Sequence, residues 1–123
     1  MIGADTSSLI AYLAGERGAD VHQIGEAMAA DELRLPPPTI TELLSKPSAQ
    51  LDYLLHTVPL LDLTPGFWVR AGKTRGLLRA KGLKAALADS LIAQCCIDAD
   101  VALIARDGDY RHFAKWCGLR LAE

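Results

Sequence analysis

The sequence lacks the features that mark disulfide-rich, secreted and membrane proteins. It has three cysteines in 123 residues, and two of them, Cys95 and Cys96, are adjacent. An odd number with this spacing forms neither a disulfide framework nor a zinc ligand set, so we expect reduced, buried thiols in a cytoplasmic protein. No apolar stretch approaches the roughly 20 residues of a membrane span. The N-terminus has no basic segment before a long apolar run, so no signal peptide is predicted.

The chain also lacks an excess of positive charge. Its 13 Lys and Arg residues are balanced by 15 Asp and Glu residues, which gives a formal net charge of -2. The sequence therefore shows no strongly basic surface of the kind that attracts nucleic acid, although a sum over the chain does not describe local patches. Half of the residues are hydrophobic. This composition and length predict one folded domain over residues 1–123 with a substantial core.

Short apolar segments alternate with helix-forming segments along the chain. Strands are predicted at 1–4, 33–35, 60–63, 101–105 and 119–121. Helices are predicted from the polar run 5–8 to residue 14, and at 19–31, 39–44, 49–56, 67–80, 85–98 and 109–116. This alternation predicts an α/β fold with a central, mainly parallel sheet that helices cover on both faces. In such sheets, ligands bind beyond the carboxyl ends of the strands.

Four acidic side chains stand near the beginnings and ends of these elements. Asp5 follows the first strand, Glu42 lies on a middle helix, Asp89 opens a late helix, and Asp107 follows strand 101–105. Carboxylate oxygens suit magnesium or manganese, whereas the absence of paired His or Cys residues disfavours zinc. The set therefore indicates that the four carboxylates form a divalent-metal site, with Asp5, Asp89 and Asp107 expected as the metal ligands.

Each acid also has a purely structural interpretation. Asp5 could cap the following helix by accepting a bond from the N–H of Ser7 or Ser8. The segment 39–42 matches the capping-box pattern, in which Glu42 would reach back to the N–H of the cap residue. Asp89 could cap its own helix, and segment 107–109 could form an Asx turn. The metal-site hypothesis therefore depends on the four acids as a set.

Four motifs, taken in order, resemble the PIN-domain family, and most closely the VapC-type toxin ribonucleases of type II toxin–antitoxin systems. They are Asp5-Thr6-Ser7, Thr41-Glu42-Leu43, Asp89-Ser90-Leu91-Ile92-Ala93 and Arg106-Asp107-Gly108-Asp109-Tyr110. The resemblance covers essentially the whole chain. It implies a PIN-like α/β/α sandwich and an endoribonuclease that requires Mg²⁺ or Mn²⁺.

The resemblance also implies roles for particular residues and partners. The acidic site would contain Asp5, Glu42, Asp89 and Asp107, with Asp109, Thr6 and Ser7 in support. A homodimer and an antitoxin protein that inhibits the enzyme are expected. One position departs from the family, which often has Thr where this chain has Ala105, so a hydroxyl contact at that place would be missing.

Basic residues are concentrated between positions 70 and 84. On an ideal helix, one face would carry Arg70, Lys73, Lys81 and Lys84. That face could guide the RNA backbone through phosphate contacts, or it could be an ordinary solvated face. The aromatic residues could stack on bases, although most are expected in the core or at an interface; they are Phe67, Trp68, Tyr110, Phe113 and Trp116.

Two other functions fit parts of the sequence. Asp62 ends a predicted strand before Pro65-Gly66 and resembles the phosphoacceptor of a receiver domain. A receiver should also have an acidic pair after its first strand and a lysine after a late strand, and this chain has Asp5 alone and Ala105-Arg106 there. The second alternative is a non-catalytic binding domain that keeps the fold and uses its acids as helix caps.

Overall fold

Three short parallel strands form the centre of the protein. The structure is a computed structural model that describes residues 1–106 and 108–123. Its strands are β1 (Ile2–Ala4), β2 (Leu33–Arg34) and β3 (Ala102–Ile104). They form one sheet in the order β2-β1-β3, in which Ile2 pairs with Leu33 on one side and with Ala102 on the other. All carboxyl ends therefore lie at one edge, as predicted.

Helices occupy the connections between and after the strands. They are α1 (Thr6–Leu13), α2 (Ala19–Ala29), α3 (Pro37–Leu43), α4 (Ala49–Thr57), α5 (Phe67–Ala80), α6 (Leu87–Ala99) and α7 (Arg111–Trp116), with a short 3₁₀ helix at Gly108–Tyr110. Within the described part of the chain, no helix is long and apolar enough to cross a membrane.

The helices pack as one layer on each face of the sheet. Successive side chains of a strand point to opposite faces, and the neighbouring β3 residues Leu103 and Ile104 accordingly belong to different cores. Leu103 packs with buried residues of α5, α6 and α7, whereas Ile104 packs with those of α1, α2, α3 and α4. The predicted α/β/α sandwich is confirmed.

Two predicted strands are reduced to single bridges. Leu60 forms an isolated parallel bridge with Leu35, and Leu121 forms one with Leu103. The remaining residues of 60–63 and 119–121 are not in strands. The prediction of full strands was wrong there because each segment reaches the sheet at one position only and then turns away.

The long basic helix ends where its sequence predicts, but the basic residues do not share one helical face. Helix α5 ends at Ala80, and Gly82 has a φ of 75°, which stops any continuation. Lys81 is the C-cap residue, and Lys84 lies beyond the helix. The single-face arrangement is therefore wrong for these two lysines.

The first strand lies very close to α6. A Cβ placed on Gly3 would lie 2.8 Å from Sγ of Cys96. Real side chains do not tolerate this distance, so the absence of a side chain at position 3 allows the helix to approach the sheet. Asp89, in the first turn of α6, is thereby brought towards the carboxyl end of β1.

Candidate acidic site

Asp5 lies at the junction of β1 and α1. Its backbone N–H donates to the carbonyl of Ile104 at 2.9 Å, which ties the end of β1 to the end of β3. Its side chain is also the N-cap of α1, because Oδ1 accepts from the backbone N–H of Ser8 and Oδ2 accepts from the hydroxyl of Ser7, both at 2.9 Å. The capping interpretation is thus confirmed for Asp5. It fixes the orientation of a carboxylate that is only 2% exposed.

Glu42 does not form the capping box that its sequence suggests. Helix α3 begins at Pro37, and the Thr39 N–H donates to the carbonyl of Pro36. Proline is favoured at the first helical position, which is the signal that places the start two residues earlier. Glu42 instead accepts a hydrogen bond of 2.5 Å from the hydroxyl of Thr6.

Asp89 lies in the first turn of α6, and it is not the cap residue. The N-cap is Ala86, whose side chain makes no capping bond. A carboxylate at this position interacts favourably with the positive end of the helix dipole. Its Oδ1 accepts a hydrogen bond of 3.3 Å from the hydroxyl of Tyr110, an otherwise buried side chain of the 3₁₀ helix.

These three acids come together in one open cavity of about 240 Å³. The cavity is lined by Asp5, Thr6, Ser7, Ile10, Glu42, Asp89 and Tyr110. The acids belong to three different segments of the chain, and a hydroxyl group donates a hydrogen bond to each one. The structure therefore places three of the four predicted acids together with both predicted hydroxyl residues.

The donor atoms of this cavity suit a hard divalent cation. They are carboxylate and hydroxyl oxygens, with no His or Cys side chain among the lining residues. Within residues 1–106 and 108–123, however, no three His, Cys, Asp or Glu side chains are grouped closely enough to hold one ion. Magnesium takes few protein carboxylates and keeps several waters, so the cavity fits Mg²⁺ or Mn²⁺ with a small protein ligand set. The predicted ligand Asp107 lies outside the described residues.

The predicted basic residues differ in their contacts. The guanidinium of Arg70 forms a bidentate pair with Asp98 and also donates to the Pro65 carbonyl and the Thr64 hydroxyl. Lys73 is an exposed residue of α5. The guanidinium of Arg70 is thus bound to groups of the protein itself.

The two lysines after α5 lie elsewhere. Nζ of Lys81 lies 3.9 Å from the centre of the Trp116 ring. Nζ of Lys84 lies 3.9 Å from Oδ2 of Asp109, next to Tyr110 in the 3₁₀ helix. Lys84 therefore contacts the 3₁₀ helix that also contains Tyr110, a residue of the acidic cavity.

A second polar cluster, which was not predicted from the sequence, lies near the end of β3. Arg106, just after β3, forms a bidentate pair with Asp20 of α2, with its Nε 2.9 Å from Oδ2 of the acid. Burial raises the pKa of Asp20, but the hydrogen bonds led by that from Arg106 outweigh this effect and hold the pKa below its usual value of 3.8. The two residues are 86 positions apart, and no local pattern connects them.

Other predicted residues lie away from the cavity. Asp62 is exposed in the segment between Leu60 and α5, where it lines a separate cavity with Asp98. Phe67, Tyr110 and Phe113 are buried in the core, whereas Trp68 and Trp116 are 66% and 44% exposed.

Comparison with known proteins identifies the family. A family model for the PIN domain matches residues 3–115. The fold is similar to that of a solved structure described as VapBC2 from Rickettsia felis bound to a DNA fragment from their promoter, with a TM-score of 0.76 and 20% sequence identity over 99% of this chain and 98% of that chain. No curated protein matches the sequence. Because the family model covers nearly the whole chain and the fold agrees with it, this protein belongs to the PIN-domain family.

Proposed function

We propose that the protein is a metal-dependent endoribonuclease that hydrolyses RNA phosphodiester bonds at the acidic cavity. The carrying observation is the convergence of Asp5, Glu42 and Asp89 from three separate segments on one cavity. A set of helix caps would not need this convergence, and of these three acids only Asp5 acts as a cap. The nuclease character of the PIN-domain family supports the same conclusion, and we assign Asp107 to the site on its position in the family motif.

The hydroxyl groups of the cavity keep the carboxylates in place. Ser7 donates to Oδ2 of Asp5, Thr6 donates to Oε1 of Glu42, and these bonds fix the orientation of the two carboxylates. Asp5 and Asp89 would hold Mg²⁺ or Mn²⁺ together with Asp107. A bound divalent cation would supply positive charge that activates water and screens the phosphate.

The RNA backbone would approach the cavity past Lys84. This lysine is exposed and pairs with Asp109 at the rim of the site, and Lys81 with the Trp116 ring lies three positions before it. Phosphate contacts of this kind supply affinity that weakens with salt. We include Lys73 as a weaker contributor and assign Arg70 to the support of α5, because its guanidinium is paired with Asp98.

We further propose that the enzyme is a cytoplasmic toxin with a cognate antitoxin. The likeness to a VapBC2 complex supports a protein partner. A homodimer is supported by an apolar cavity of about 360 Å³ next to Glu42, to which Trp68 and Leu87 contribute side chains that are 66% and 61% exposed. Co-purification with the antitoxin and light scattering of the isolated protein test these two assemblies.

Cleavage of a mixed RNA pool by purified, antitoxin-free protein tests the activity. The reaction contains Mg²⁺ or Mn²⁺, or EDTA, and compares the wild type with Asp5→Asn and Asp89→Asn. Asp52→Asn is the matched control, because Asp52 is an exposed helical acid that does not line the cavity. We expect metal-dependent cutting that the two site variants lose and the control keeps.

Thermal unfolding with increasing metal gives a second measurement. A cation that binds only the folded state raises the melting temperature with concentration, and Asp89→Asn should weaken that rise. A wild type that neither cuts RNA nor responds to metal would contradict the proposal and favour a non-catalytic binding domain. A metal response without cutting would point to a narrow RNA target.

A further inference from the structure

One guanidinium joins the segment after β3 to the turn between α1 and α2. Arg106 donates from Nε to Asp20 at 2.9 Å, from Nη1 to Glu16 at 2.9 Å, and from Nη2 to the Arg17 carbonyl at 3.2 Å. Its side chain is 33% exposed, and that of Asp20 is only 9% exposed. A planar guanidinium held at several points fixes the direction of the backbone that carries it.

The turn that receives Arg106 is shaped for this contact. Gly18 has a φ of 154°, and a Cβ at this position would lie 2.6 Å from Oδ1 of Asp20 and 3.1 Å from Nη2 of Arg106. A side chain at position 18 would therefore displace the ion pair. The positive charge of Arg106 is balanced inside this cluster by Glu16 and Asp20, and Arg106 does not line the acidic cavity.

Residues on both sides of Arg106 in the sequence contact acids of the candidate site. Immediately before it, the carbonyl of Ile104 accepts from the N–H of Asp5. Shortly after it, Tyr110 donates to Asp89. A change in the path of the backbone at Arg106 would thus alter the relative positions of two carboxylates that line the cavity.

We propose that Asp20 and Arg106 are positioning residues, whose ion pair fixes the backbone at Arg106 beside β3 so that the acidic cavity keeps its metal-binding geometry. This inference rests on the proposed function. Neither residue needs to contact the metal or the RNA. Groups that support metal ligands from behind contribute to metal affinity through orientation, and their loss weakens binding by about tenfold or more.

The protein contains a matched control for this ion pair. Asp98 of α6 accepts a bidentate pair from Arg70, and the side chains of Arg70 and Asp98 are 39% and 11% exposed, close to the values of the Arg106 pair. Asp98 lies nine residues after Asp89 on the same helix, which is about 13 Å along the axis. The two ion pairs thus have the same chemistry and burial, but only one adjoins the site.

The experiment compares Asp20→Asn with Asp98→Asn in the full-length protein. For each variant, the Mg²⁺ or Mn²⁺ concentration that gives half of the maximal rise in melting temperature is measured against its own metal-free baseline. Both variants should be less stable than the wild type by similar amounts. We expect Asp20→Asn to raise the half-maximal metal concentration about tenfold, with Asp98→Asn unchanged. If Asp20→Asn does not fold, Arg106→Lys provides a second test. It should also raise the half-maximal metal concentration, because a lysine cannot reproduce the bidentate contacts.

The outcomes separate this inference from the proposed function. A wild type without any metal response overturns the proposed function itself. A wild type that responds to metal, with Asp20→Asn or Arg106→Lys shifted no more than Asp98→Asn, overturns only the positioning role. A shift confined to the Asp20 and Arg106 variants supports it, since loss of stability alone would affect both ion pairs.

Discussion

The hydroxyl of Thr6 donates a 2.5 Å hydrogen bond to Oε1 of Glu42 and joins the start of α1 to α3 across 36 positions of sequence. Glu42 is exposed and takes no part in capping its own helix. A long exposed side chain would otherwise sample several rotamers. This one bond therefore decides whether the carboxylate of Glu42 faces the acidic cavity.

Replacing Thr6 with valine removes the hydroxyl and keeps the shape of the side chain. We expect metal-dependent cleavage to fall about tenfold, because the orientation of Glu42 is lost. Thr6→Ser should retain most of the activity. The contact is exposed, so the free energy of unfolding should change by no more than about 0.5 kcal/mol. Cleavage rates and urea unfolding measure the two effects, and unchanged cleavage by Thr6→Val would refute the role of this bond.

Adding a methyl group at Gly3 should destabilise the protein. The new Cβ would lie 2.8 Å from Sγ of Cys96, and relief of such overpacking costs about 1–3 kcal/mol. Gly72→Ala is the control. Gly72 lies in α5, and a Cβ there would have no atom within 4 Å other than the backbone of its own helix. The substitution should therefore stabilise the helix by up to about 1 kcal/mol.

A double-mutant cycle attributes the Gly3 effect to its cause. Cys96→Ala removes the sulfur atom that the new methyl group would strike, so Gly3→Ala should cost less in that background. Denaturant unfolding of the four proteins measures the coupling. Equal costs of Gly3→Ala in both backgrounds would show that the sulfur contact is not the source of the destabilisation.

The thiols of Cys95 and Cys96 should be unreactive in the folded protein. Burial, together with the charge of Asp98, raises the pKa of Cys95 to about 12, and burial also raises that of Cys96 to about 12. The reactive thiolate is therefore scarce at neutral pH. Cys117 is only half-buried, so an alkylating reagent should modify it first. Mass spectrometry of the labelled peptides checks this order, which fast labelling of Cys95 or Cys96 would contradict.

Acid should weaken the protein through its two bidentate pairs. Burial raises the pKa of Asp98, but hydrogen bonds from Arg70 and Gln94 outweigh it, so the pKa lies below the usual 3.8, as does that of Asp20. An unfolded chain then binds more protons than the folded one in this range. The stabilisation is fully present above pH 3.8 and is lost as the pH falls through the lowered pKa values.

Denaturant unfolding at a series of pH values measures this effect. Between about pH 5 and pH 2 the free energy of unfolding of the wild type should fall with a steeper slope than that of Asp98→Asn, which has one carboxylate fewer to protonate. Identical slopes would show that the ion pair does not contribute to acid sensitivity.

The order of strands and helices was predicted well because it depends on local sequence patterns. The apolar runs at β1 and β3, and the helix-start signal at Asp5, depend on neighbouring residues alone. The extent of sheet pairing was less predictable. Residues 60–63 and 119–121 have strand-like composition, but each segment meets the sheet at one residue, and its bridge partner, Leu35 or Leu103, is distant in sequence.

The sequence predicted three acids that line the cavity and the capping bond of Asp5, but not the hydrogen bonds between distant segments. Asp5, Glu42 and Asp89 were selected from their positions in motifs, and the structure brings them to one cavity. The link between Thr6 and Glu42 and the link between Arg106 and Asp20 cross the chain. Arg70 is a further example. Its charge suggested a contact with RNA, but its guanidinium is paired with Asp98, an acid 28 positions away.

The division of Leu103 and Ile104 between the two cores has a consequence for cooperativity. The layers of helices share a dividing wall of three strands, each two or three residues long. A sheet this small would not remain folded if either layer of helices were lost, because the apolar face that the layer had covered would then be exposed to water. We expect the two cores to melt together in a single transition, so that helix content, which reports both layers, and tryptophan fluorescence, which comes from α5 and α7 in one layer, give the same midpoint. A divalent cation bound in the acidic cavity should therefore stabilise both layers, although that cavity lies at one edge of the sheet.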